Sequence, residues 1–278
     1  MFAYASLLGI AKANGYIPYF PSSHPLTSIF SLSKIQSGNA ECLQTVFDDR
    51  PCSYNSEFMN LPPGNISIRG YIQSWKYFRL MEKEIRKEFT LNKFVRTRAT
   101  LDFTSYVGKF VRDGRPVVGV HVRRGDVLKP EARKLGFCHA PKSYLDNAMK
   151  YMLRKYPNAV FLVTSDDIEW CIENVIPPKL SDIFDSKESL HKFTNSSKIK
   201  KFQDKVPVVF SKGRDPWSDF SVLSLCNHSI ITVGTFGWWS AWLANGHVVY
   251  YKNVPLPGTK LDYELTKEDY FPAHWVAL

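Results

Sequence analysis

The chain has 278 residues, enough for one large domain or two smaller ones, and 44% of them are hydrophobic, which suffices for a buried core. Its 36 lysines and arginines exceed its 26 acidic residues, and the net charge of +10 favours anionic partners. The basic residues are dispersed and no nucleic-acid-binding motif is present, so we expect no nucleic acid as partner. No run of about 18 apolar residues occurs, so this sequence is predicted to encode no membrane anchor.

The N-terminal part of the chain alternates weakly between helix and strand. Residues 3–14 are predicted to form an amphipathic helix that stops at Gly15, and residues 17–20 a short strand. A stretch rich in Ser, Asn and Pro follows, with one helix expected around residues 26–35. This is the back half of a β-α-β unit. Because no strand precedes the first helix, we expect the first strand of this domain to be missing.

Two longer helices are predicted next. Residues 66–75 are predicted to form a strand that runs into a polar turn, and residues 76–89 a helix whose apolar side chains share one face. A second helix covers residues 92–112, and the Asp-Gly-Arg-Pro sequence at 113–116 ends it. We place a domain boundary at this break, because a strong alternation of strands and helices starts immediately after it.

The predicted domains are residues 1–114 and residues 115–278. In the second, the predicted strands cover residues 116–123, 159–164, 206–210, 230–233 and 247–251. The predicted helices of this domain cover residues 141–155, 167–175, 217–226 and 236–244, and a charged loop is predicted over residues 177–205. Repeated β-α-β units of this kind form a doubly wound parallel sheet. The tail from residue 255 onward is expected to cross back onto the first domain.

The most informative stretch is residues 116–126, a β-branched strand that ends in His121, Arg123, Arg124 and Asp126. In open α/β sheets, ligands bind outside the carboxyl ends of the strands. Paired arginines suit a pyrophosphate, because the guanidinium group matches phosphate oxygens and stays charged. Since consecutive residues point in different directions, we expect one arginine to bind the ligand and the other to brace the site. A structural Arg–Asp ion pair and an integrin-type Arg-Gly-Asp tripeptide are the alternatives.

Carboxylates follow two other predicted strands. Asp166 and Asp167 lie between a strand and a helix. We expect Asp167 to cap that helix, and Asp166 either to hold an arginine in position or to face a donor ribose. Asp219 lies in the first turn of another predicted helix. There it either complements the helix dipole or accepts two hydrogen bonds from a guanine edge.

A glycine-bracketed turn follows the strand at residues 230–233. Its small residues let the backbone N–H groups of Thr235, Phe236 and Gly237 approach a phosphate at the start of a helix. A Gly-x-x-Gly turn alone is a weak signal. The sequence contains no Asp-x-Asp triplet, so fixed cations rather than a metal ion are expected to neutralise a leaving pyrophosphate.

The cysteines and glycosylation sequons bear on the compartment. The five cysteines are not paired at metal-ligand spacing, so no metal site is predicted. Cys42 and Cys52 flank a polar loop that a disulfide could close. Three N-x-S sequons, at Asn65, Asn195 and Asn227, fit a secretory-pathway protein, although Asn227 lies in an apolar setting where a glycan fits poorly.

Taken together, these segments resemble one family. The His-Val-Arg-Arg-Gly-Asp motif at 121–126, the Val-Thr-Ser-Asp-Asp-x-x-Trp motif at 163–170 and the long segment 219–241 are similar to the galactoside α-1,2-fucosyltransferases of glycosyltransferase family eleven. Residues 1–5 and 70–75 are similar too, so the resemblance covers nearly the whole chain. It implies an α/β, GT-B-like pair of Rossmann-like domains with parallel sheets. The N-terminal domain would be the acceptor side and the C-terminal domain would bind GDP-fucose.

The resemblance also implies the reaction. A galactoside 2-alpha-L-fucosyltransferase transfers fucose from GDP-fucose to the 2-hydroxyl of a terminal β-galactoside, with inversion at the anomeric carbon and without a metal ion or other cofactor. Arg123 or Arg124 would contact the β-phosphate, with His121 and Asp219 toward the guanosine, and we count Arg124 among the candidate catalytic residues. Asp126 is our first choice for the base. Glu131 is the second, because core α-1,6 fucosyltransferases, a more distant relative, place an acid after the same motif.

Family members carry a strand and a Gly-x-x-Gly-Asn turn before the Met-Phe pair that stands at Met1 here, and Golgi members carry a membrane anchor ahead of that. We therefore expect an incomplete first domain and a Golgi or secretory-lumen location, with membrane association only through an anchor outside this sequence. Two alternatives remain open. One is a catalytically silent glycan- or nucleotide-binding homologue, and the other is a protein O-fucosyltransferase, which shares the arginine motif but not the segment 219–241.

Overall fold

The computed structural model describes residues 1–34, 44–183, 206–213 and 215–278. Its contacts divide the chain into two compact units. The first unit comprises Met1–Lys93, Lys134–Gly136 and Pro255–His274. The second unit comprises Phe94–Arg133, Phe137–Val254 and Trp275–Leu278.

The elements are numbered in chain order within these described residues. The helices are α1 (Phe2–Asn14), α2 (Glu82–Glu88), α3 (Lys93–Arg112), α4 (Pro130–Leu135), α5 (Lys142–Lys155), α6 (Ile168–Asn174), α7 (Pro216–Ser224), α8 (Thr235–Ala244), α9 (Lys260–Glu264) and α10 (Lys267–Tyr270). The strands are β1 (Gln44–Phe47), β2 (Ile66–Arg69), β3 (Val117–Val122), β4 (Val160–Ser165), β5 (Val208–Phe210), β6 (His228–Ile231), β7 (Val248–Tyr250) and β8 (Val276–Ala277).

The first unit pairs β1 and β2 in parallel and packs α1 in its core. Helix α1 ends where Gly15 adopts a left-handed conformation, with φ of 69°, which favours glycine. A side chain on Gly9 would place its Cβ 2.1 Å from the carbonyl oxygen of Tyr77. Only glycine therefore allows α1 to approach the neighbouring backbone this closely.

The second unit is built on a six-stranded sheet in the order β5-β4-β3-β6-β7-β8, and all of its pairings are parallel. Every residue of the central strand β3 is buried. From β3 the chain runs to β4 and β5 on one side, and then returns to β6, β7 and β8 on the other. This reversal of strand order creates a topological switch point between β3 and β6, where open α/β sheets bind ligands.

Helix α3 belongs to the second unit for a packing reason. Its residue Val107 lies in a buried cluster with Val117 of β3, Leu162 of β4 and Val222 of α7. Burial of this apolar surface groups α3 with the sheet, so the division by contacts falls about 20 residues before the sequence-derived boundary at residue 114. Residues 255–274 group with the first unit.

The predicted fold class is confirmed, since the structure is α/β with parallel strands in both units, as in GT-B-like folds. The helices and strands predicted after residue 115 are all present where the structure describes them, and their ends shift by at most a few residues. Strands β1 and β8 and helix α4 were not predicted. The charged loop at 177–205 lies mostly outside the described residues.

The strand predicted from residue 66 and the turn after it are confirmed: β2 ends at Arg69, Gly70 has a φ of 138°, and the backbone turns so that Ile72 N–H donates to Asp48. Two other predictions for the first unit were wrong. Residues 17–20 form no strand. The helix predicted over 76–89 is α-helical only in α2, and its first part forms two 3-10 turns around Phe78.

The helix predicted around 26–35 is the short 3-10 turn Pro25–Ser28. Cys42 and Asn195 lie outside the described residues. Cys52 is buried, and its Sγ lies 3.4 Å from the side-chain oxygen of Gln73. Within the described ranges, no helix is both long enough and apolar enough to cross a bilayer.

Candidate functional site

The candidate site lies at the carboxyl ends of β3, β4 and β6 in the second unit. The turn after β3 carries Arg123 and Arg124, and the turn after β6 leads through Gly234 into α8. These turns meet because β3 and β6 are direct neighbours in the sheet. The topology therefore brings the arginine motif and the glycine-bracketed turn together, although more than 100 residues separate them in sequence.

Arg123 lies against the start of α8. Its backbone N–H donates to the Thr232 hydroxyl at 2.9 Å, which fixes the main chain to the end of β6. A Cβ on Gly234 would lie 2.3 Å from a terminal nitrogen of Arg123, so the guanidinium group rests on that glycine. Its Nε donates to Asp126 at 2.9 Å, and a terminal nitrogen donates to the second oxygen of the same carboxylate. The side chain is 30% exposed.

Arg124 points to the opposite side and is more enclosed. Its Nε donates to Asp167 at 3.0 Å, and its guanidinium carbon lies 3.7 Å from the centre of the Trp170 ring. Only 11% of its side chain is exposed. The two arginines are therefore divided in the way that adjacent residues after a strand require.

The two aspartates after β4 bind residues 123–125, which follow β3 and which we call the arginine loop. Asp166 accepts the backbone N–H groups of Arg124 at 2.8 Å and Gly125 at 3.0 Å, one on each carboxylate oxygen. Asp167 accepts from the backbone N–H of Trp170 and caps α6, so its predicted capping role is confirmed. Its other oxygen accepts from Arg124, a contact that the sequence analysis missed. The hypothesis that Asp166 faces a ribose stays a prediction.

His121 is buried beneath the first turn of α8. Its ring stacks on Phe236 with centroids 4.9 Å apart, and a Cβ on Gly237 would lie 2.6 Å from its Nδ1. Burial is the main cause that lowers the pKa of His121 to about 4; Asp166 opposes this shift and Arg123 adds to it. His121 is therefore neutral at neutral pH. Its Nδ1 has no hydrogen-bond partner among the described residues.

Polar groups adjoin His121 on the same face of the sheet. Thr164 is its register partner on β4, and the Thr164 hydroxyl is buried without a partner among the described residues. The hydroxyl of Ser221, on α7, is also buried and has no hydrogen-bond partner among the described residues. Asp219 lies in the first turn of α7, where burial raises the pKa of its carboxyl. Unpaired buried polar groups are costly, which makes this end of the sheet a candidate ligand site.

Helix α8 begins without a side-chain cap. Its N-cap residue is Gly234, with a φ of 92°, and within the described part of the chain no side-chain cap hydrogen bond forms ahead of Thr235, Phe236 and Gly237. A helix N-terminus of this kind attracts anions, because its N–H groups are unsatisfied and the helix dipole is positive there. The Arg123 guanidinium group adds a full positive charge beside it.

The two proposed bases differ in their surroundings. Asp126 is exposed, and its hydrogen bonds to Arg123 lower the pKa of its carboxyl. A carboxylate held in this state is a weak base while the pair persists. Glu131 lies on the exposed first turn of α4. Asp126 therefore contacts Arg123, whereas Glu131 lies on helix α4.

Sequence reasoning missed Thr164, Ser221 and Thr232. Each is a small hydroxyl residue at a strand end or in a helix, where such residues usually play structural roles. Thr232 directly follows β6 and gave no separate signal, because its partner Arg123 is more than 100 residues away. Only the pairing of β3 with β6 places the two together.

Comparison with known families covers the whole chain. The family model described as Glycosyl transferase family 11 matches residues 1–278. The chain belongs to glycosyl transferase family 11. For this family 11 member, the named relatives include galactoside alpha-(1,2)-fucosyltransferase 1 of Ateles belzebuth, which is 30% identical over an alignment that covers 99% of this chain and 70% of the relative. Galactoside 2-alpha-L-fucosyltransferase SEC1 of Bos taurus is also 30% identical, with 99% and 69% covered.

Solved structures resemble this family 11 protein only distantly. A crystal structure of POFUT1 in complex with GDP-fucose has a TM-score of 0.45 and 10% sequence identity, and covers 87% of this chain and 88% of that one. A glycosyl transferase family 9 structure from Veillonella parvula has a TM-score of 0.34 and 15% identity, with 73% and 47% covered. The family assignment rests on the sequence matches.

Proposed function

We propose that this family 11 protein is a galactoside 2-alpha-L-fucosyltransferase. It would transfer fucose from GDP-fucose to the 2-hydroxyl of a terminal β-galactoside in a glycan. Two lines of support converge on this reaction. The named relatives are galactoside 2-fucosyltransferases. Independently, the carboxyl ends of the strands in the second sheet combine the Arg123 guanidinium group at the start of α8 with buried polar groups that have no hydrogen-bond partner among the described residues.

The observation that carries the proposal is the position of Arg123 beside the uncapped start of α8. The β-phosphate of the donor would bind between the guanidinium group and the backbone N–H groups of Thr235, Phe236 and Gly237. Negative charge grows on that phosphate as the fucose–oxygen bond breaks. Fixed positive groups that meet this charge stabilise the transition state, so the reaction would proceed without a metal ion.

The guanosine would bind on the neighbouring polar surface. Asp219 is the group suited to a guanine edge, because a carboxylate accepts the two N–H bonds that this edge offers. The His121 ring would lie toward the ribose, and neutral His121 can either donate or accept a hydrogen bond there. This would give a function to the buried Nδ1 of His121, which has no hydrogen-bond partner among the described residues.

In the reacting complex the acceptor 2-hydroxyl oxygen attacks the anomeric carbon of fucose from the face opposite the phosphate. The bond between that carbon and the β-phosphate oxygen breaks, its electron pair leaves with GDP, and the configuration inverts. The hydroxyl proton passes to a carboxylate. Asp126 and Glu131 are the two bases we propose. Turnover in both Asp126→Asn and Glu131→Gln near that of the unaltered protein would exclude them.

The reaction would take place in the Golgi lumen, with GDP-fucose and a terminal β-galactoside glycan as partners. The test is a transfer assay with GDP-fucose and either lactose or a folded protein as acceptor, followed by NMR of the linkage. We expect a fucose α-1,2-linked to galactose. Transfer to the folded protein alone would favour a protein O-fucosyltransferase. GDP binding by calorimetry without transfer or donor hydrolysis would favour a catalytically silent homologue.

A further inference from the structure

The turn that joins β4 to α6, residues 165–170, contacts the arginine loop through three side chains. Asp166 accepts two backbone N–H groups of the loop, Asp167 accepts from the Arg124 side chain, and Trp170 covers the face of its guanidinium group. Nothing in the reaction above uses these contacts. We refer to these residues as the β4–α6 turn.

The contacts fix the main chain on both sides of Arg123. Three successive backbone N–H groups each donate to a side chain: Arg123 to Thr232 at 2.9 Å, Arg124 to Asp166 at 2.8 Å and Gly125 to Asp166 at 3.0 Å. Regular structure has ended here, since β3 stops at Val122. Hydrogen bonds from neighbouring elements therefore replace the sheet ladder and set the direction in which the Arg123 side chain leaves the loop.

Arg124 is less accessible to a phosphate than Arg123. Its side chain is 11% exposed, against 30% for Arg123, its Nε donates to Asp167, and its planar face lies on Trp170. A phosphate that drew the guanidinium group out of this position would separate it from Trp170 and Asp167. Stacking on Trp170 together with the hydrogen bond from Nε requires the planar guanidinium group, so a lysine cannot make the same contacts.

We infer that the β4–α6 turn is a positioning element, and that Arg124, Asp166 and Asp167 are positioning residues that direct Arg123 at the diphosphate of the donor. The inference rests on the proposed function. It refines our expectation for Arg124, which we had placed among the catalytic residues. Asp166 acts on the main chain and Asp167 acts through Arg124. Both effects reach the ligand only through Arg123.

Calorimetry with GDP and GMP separates this role from general stability. GMP lacks the β-phosphate, so the ratio of the two affinities reports the contact with Arg123. We expect Asp167→Asn to lower the GDP-to-GMP ratio about tenfold, the usual effect of losing one charge-assisted hydrogen bond, with GMP affinity unchanged. Asp167→Glu should restore part of the ratio. Asp166→Asn tests the same claim through the main chain.

The coupling to Arg123 is the deciding measurement. In an Arg123→Ala background, Asp167→Asn should have no further effect on the ratio, because the side chain that it positions is absent. Asp146→Asn is the matched control, since it breaks an exposed ion pair with Lys142 on α5. It should leave both affinities unchanged, and thermal unfolding would verify that each variant is folded.

Three results would overturn the inference. One is an unchanged ratio in Asp167→Asn, another is an equal loss of GDP and GMP affinity, and the third is a full additional effect in the Arg123→Ala background. A different result would count against the proposed function instead. If the unaltered protein bound GDP no more tightly than GMP, the proposal that Arg123 contacts the diphosphate of the donor would be wrong.

Discussion

A histidine lies near each end of the strands in the second sheet, half-buried His228 at the amino edge and buried His121 at the carboxyl edge, and their surroundings differ. At the amino edge, His228 stacks on Tyr156 with centroids 3.9 Å apart, and its Nδ1 accepts the backbone N–H of His247 at 3.1 Å. At the carboxyl edge, the Nδ1 of His121 has no partner among the described residues. Burial lowers the pKa of both to about 4. A lowered pKa therefore does not indicate a ligand site by itself. The better indication is a buried ring nitrogen that has no hydrogen-bond partner among the described residues.

An arginine also flanks each end of β3, and we expect substitution of these two residues to show the largest difference in activity. Arg115 donates to the carbonyl oxygens of Asn158 and Ala159, whereas Arg123 lies at the start of α8. We expect Arg123→Ala to lower kcat/KM for GDP-fucose by about 10³-fold, because it removes the cation beside the leaving phosphate. Arg115→Ala should lower only stability. Steady-state kinetics and thermal unfolding measure both, and similar kinetic losses in the two variants would erase the distinction.

Two glycines, one near each end of the strands, should show the next largest difference, in the stability lost on substitution by alanine. A Cβ on Gly246, at the amino edge, would lie 1.7 Å from the carbonyl oxygen of Asn227, which cannot move freely. We expect Gly246→Ala to cost about 3 kcal/mol of the free energy of unfolding. At Gly237 the Cβ would meet the His121 ring at 2.6 Å. Gly237→Ala should cost less stability and should weaken GDP binding. Denaturant unfolding and calorimetry test the pair, and the reverse order would contradict it.

Acidification should destabilise the protein through both histidines. Each histidine has a folded-state pKa of about 4 against an ordinary value of 6.5, so the unfolded chain binds more protons between these values. Stability should therefore rise with pH from 4 to 6.5, by at most about 1.4 kcal/mol per pH unit for each histidine. Solvent screening reduces the share of the half-buried His228. Denaturant unfolding across this window should show a smaller slope in His228→Phe and in His121→Phe. An unchanged slope in both variants would refute the assignment.

The smallest effects concern hydroxyl groups. Tyr156 is hydrogen-bonded to His247 at the amino edge, so Tyr156→Phe should cost about 1 kcal/mol of stability. Thr164→Val at the carboxyl edge removes a hydroxyl that has no partner among the described residues. It should leave stability unchanged or slightly higher, while lowering GDP affinity about fivefold if the hydroxyl binds the donor. A clear loss of stability in Thr164→Val would show that the hydroxyl is already satisfied.

Much of the second unit could be predicted because its central strands β3 and β4 are buried on both faces. The continuous apolar run at Val117–Val122 is typical of a central parallel strand, and the periodic apolar residues of α5 are typical of a helix packed on a sheet. The first unit was harder. Strand β1 lies at the end of a polar stretch and carries only one half-buried residue, so its pairing with β2 left no periodic signal. The helix expected at 76–89 was interrupted near Phe78, where the backbone leaves helical geometry.

The sequence by itself determined the family, the parallel α/β architecture and the location of the candidate site after β3, because these depend on local patterns of burial and on motifs within a few residues. Only the tertiary structure decided which arginine lies at the start of α8 and which is enclosed beside Asp167 and Trp170. That choice depends on Thr232, Gly234, Asp167 and Trp170, which reach the loop from β6, α8 and the β4–α6 turn. Side-chain direction after a strand is set by such distant partners, and neighbouring residues in the sequence carry no record of them.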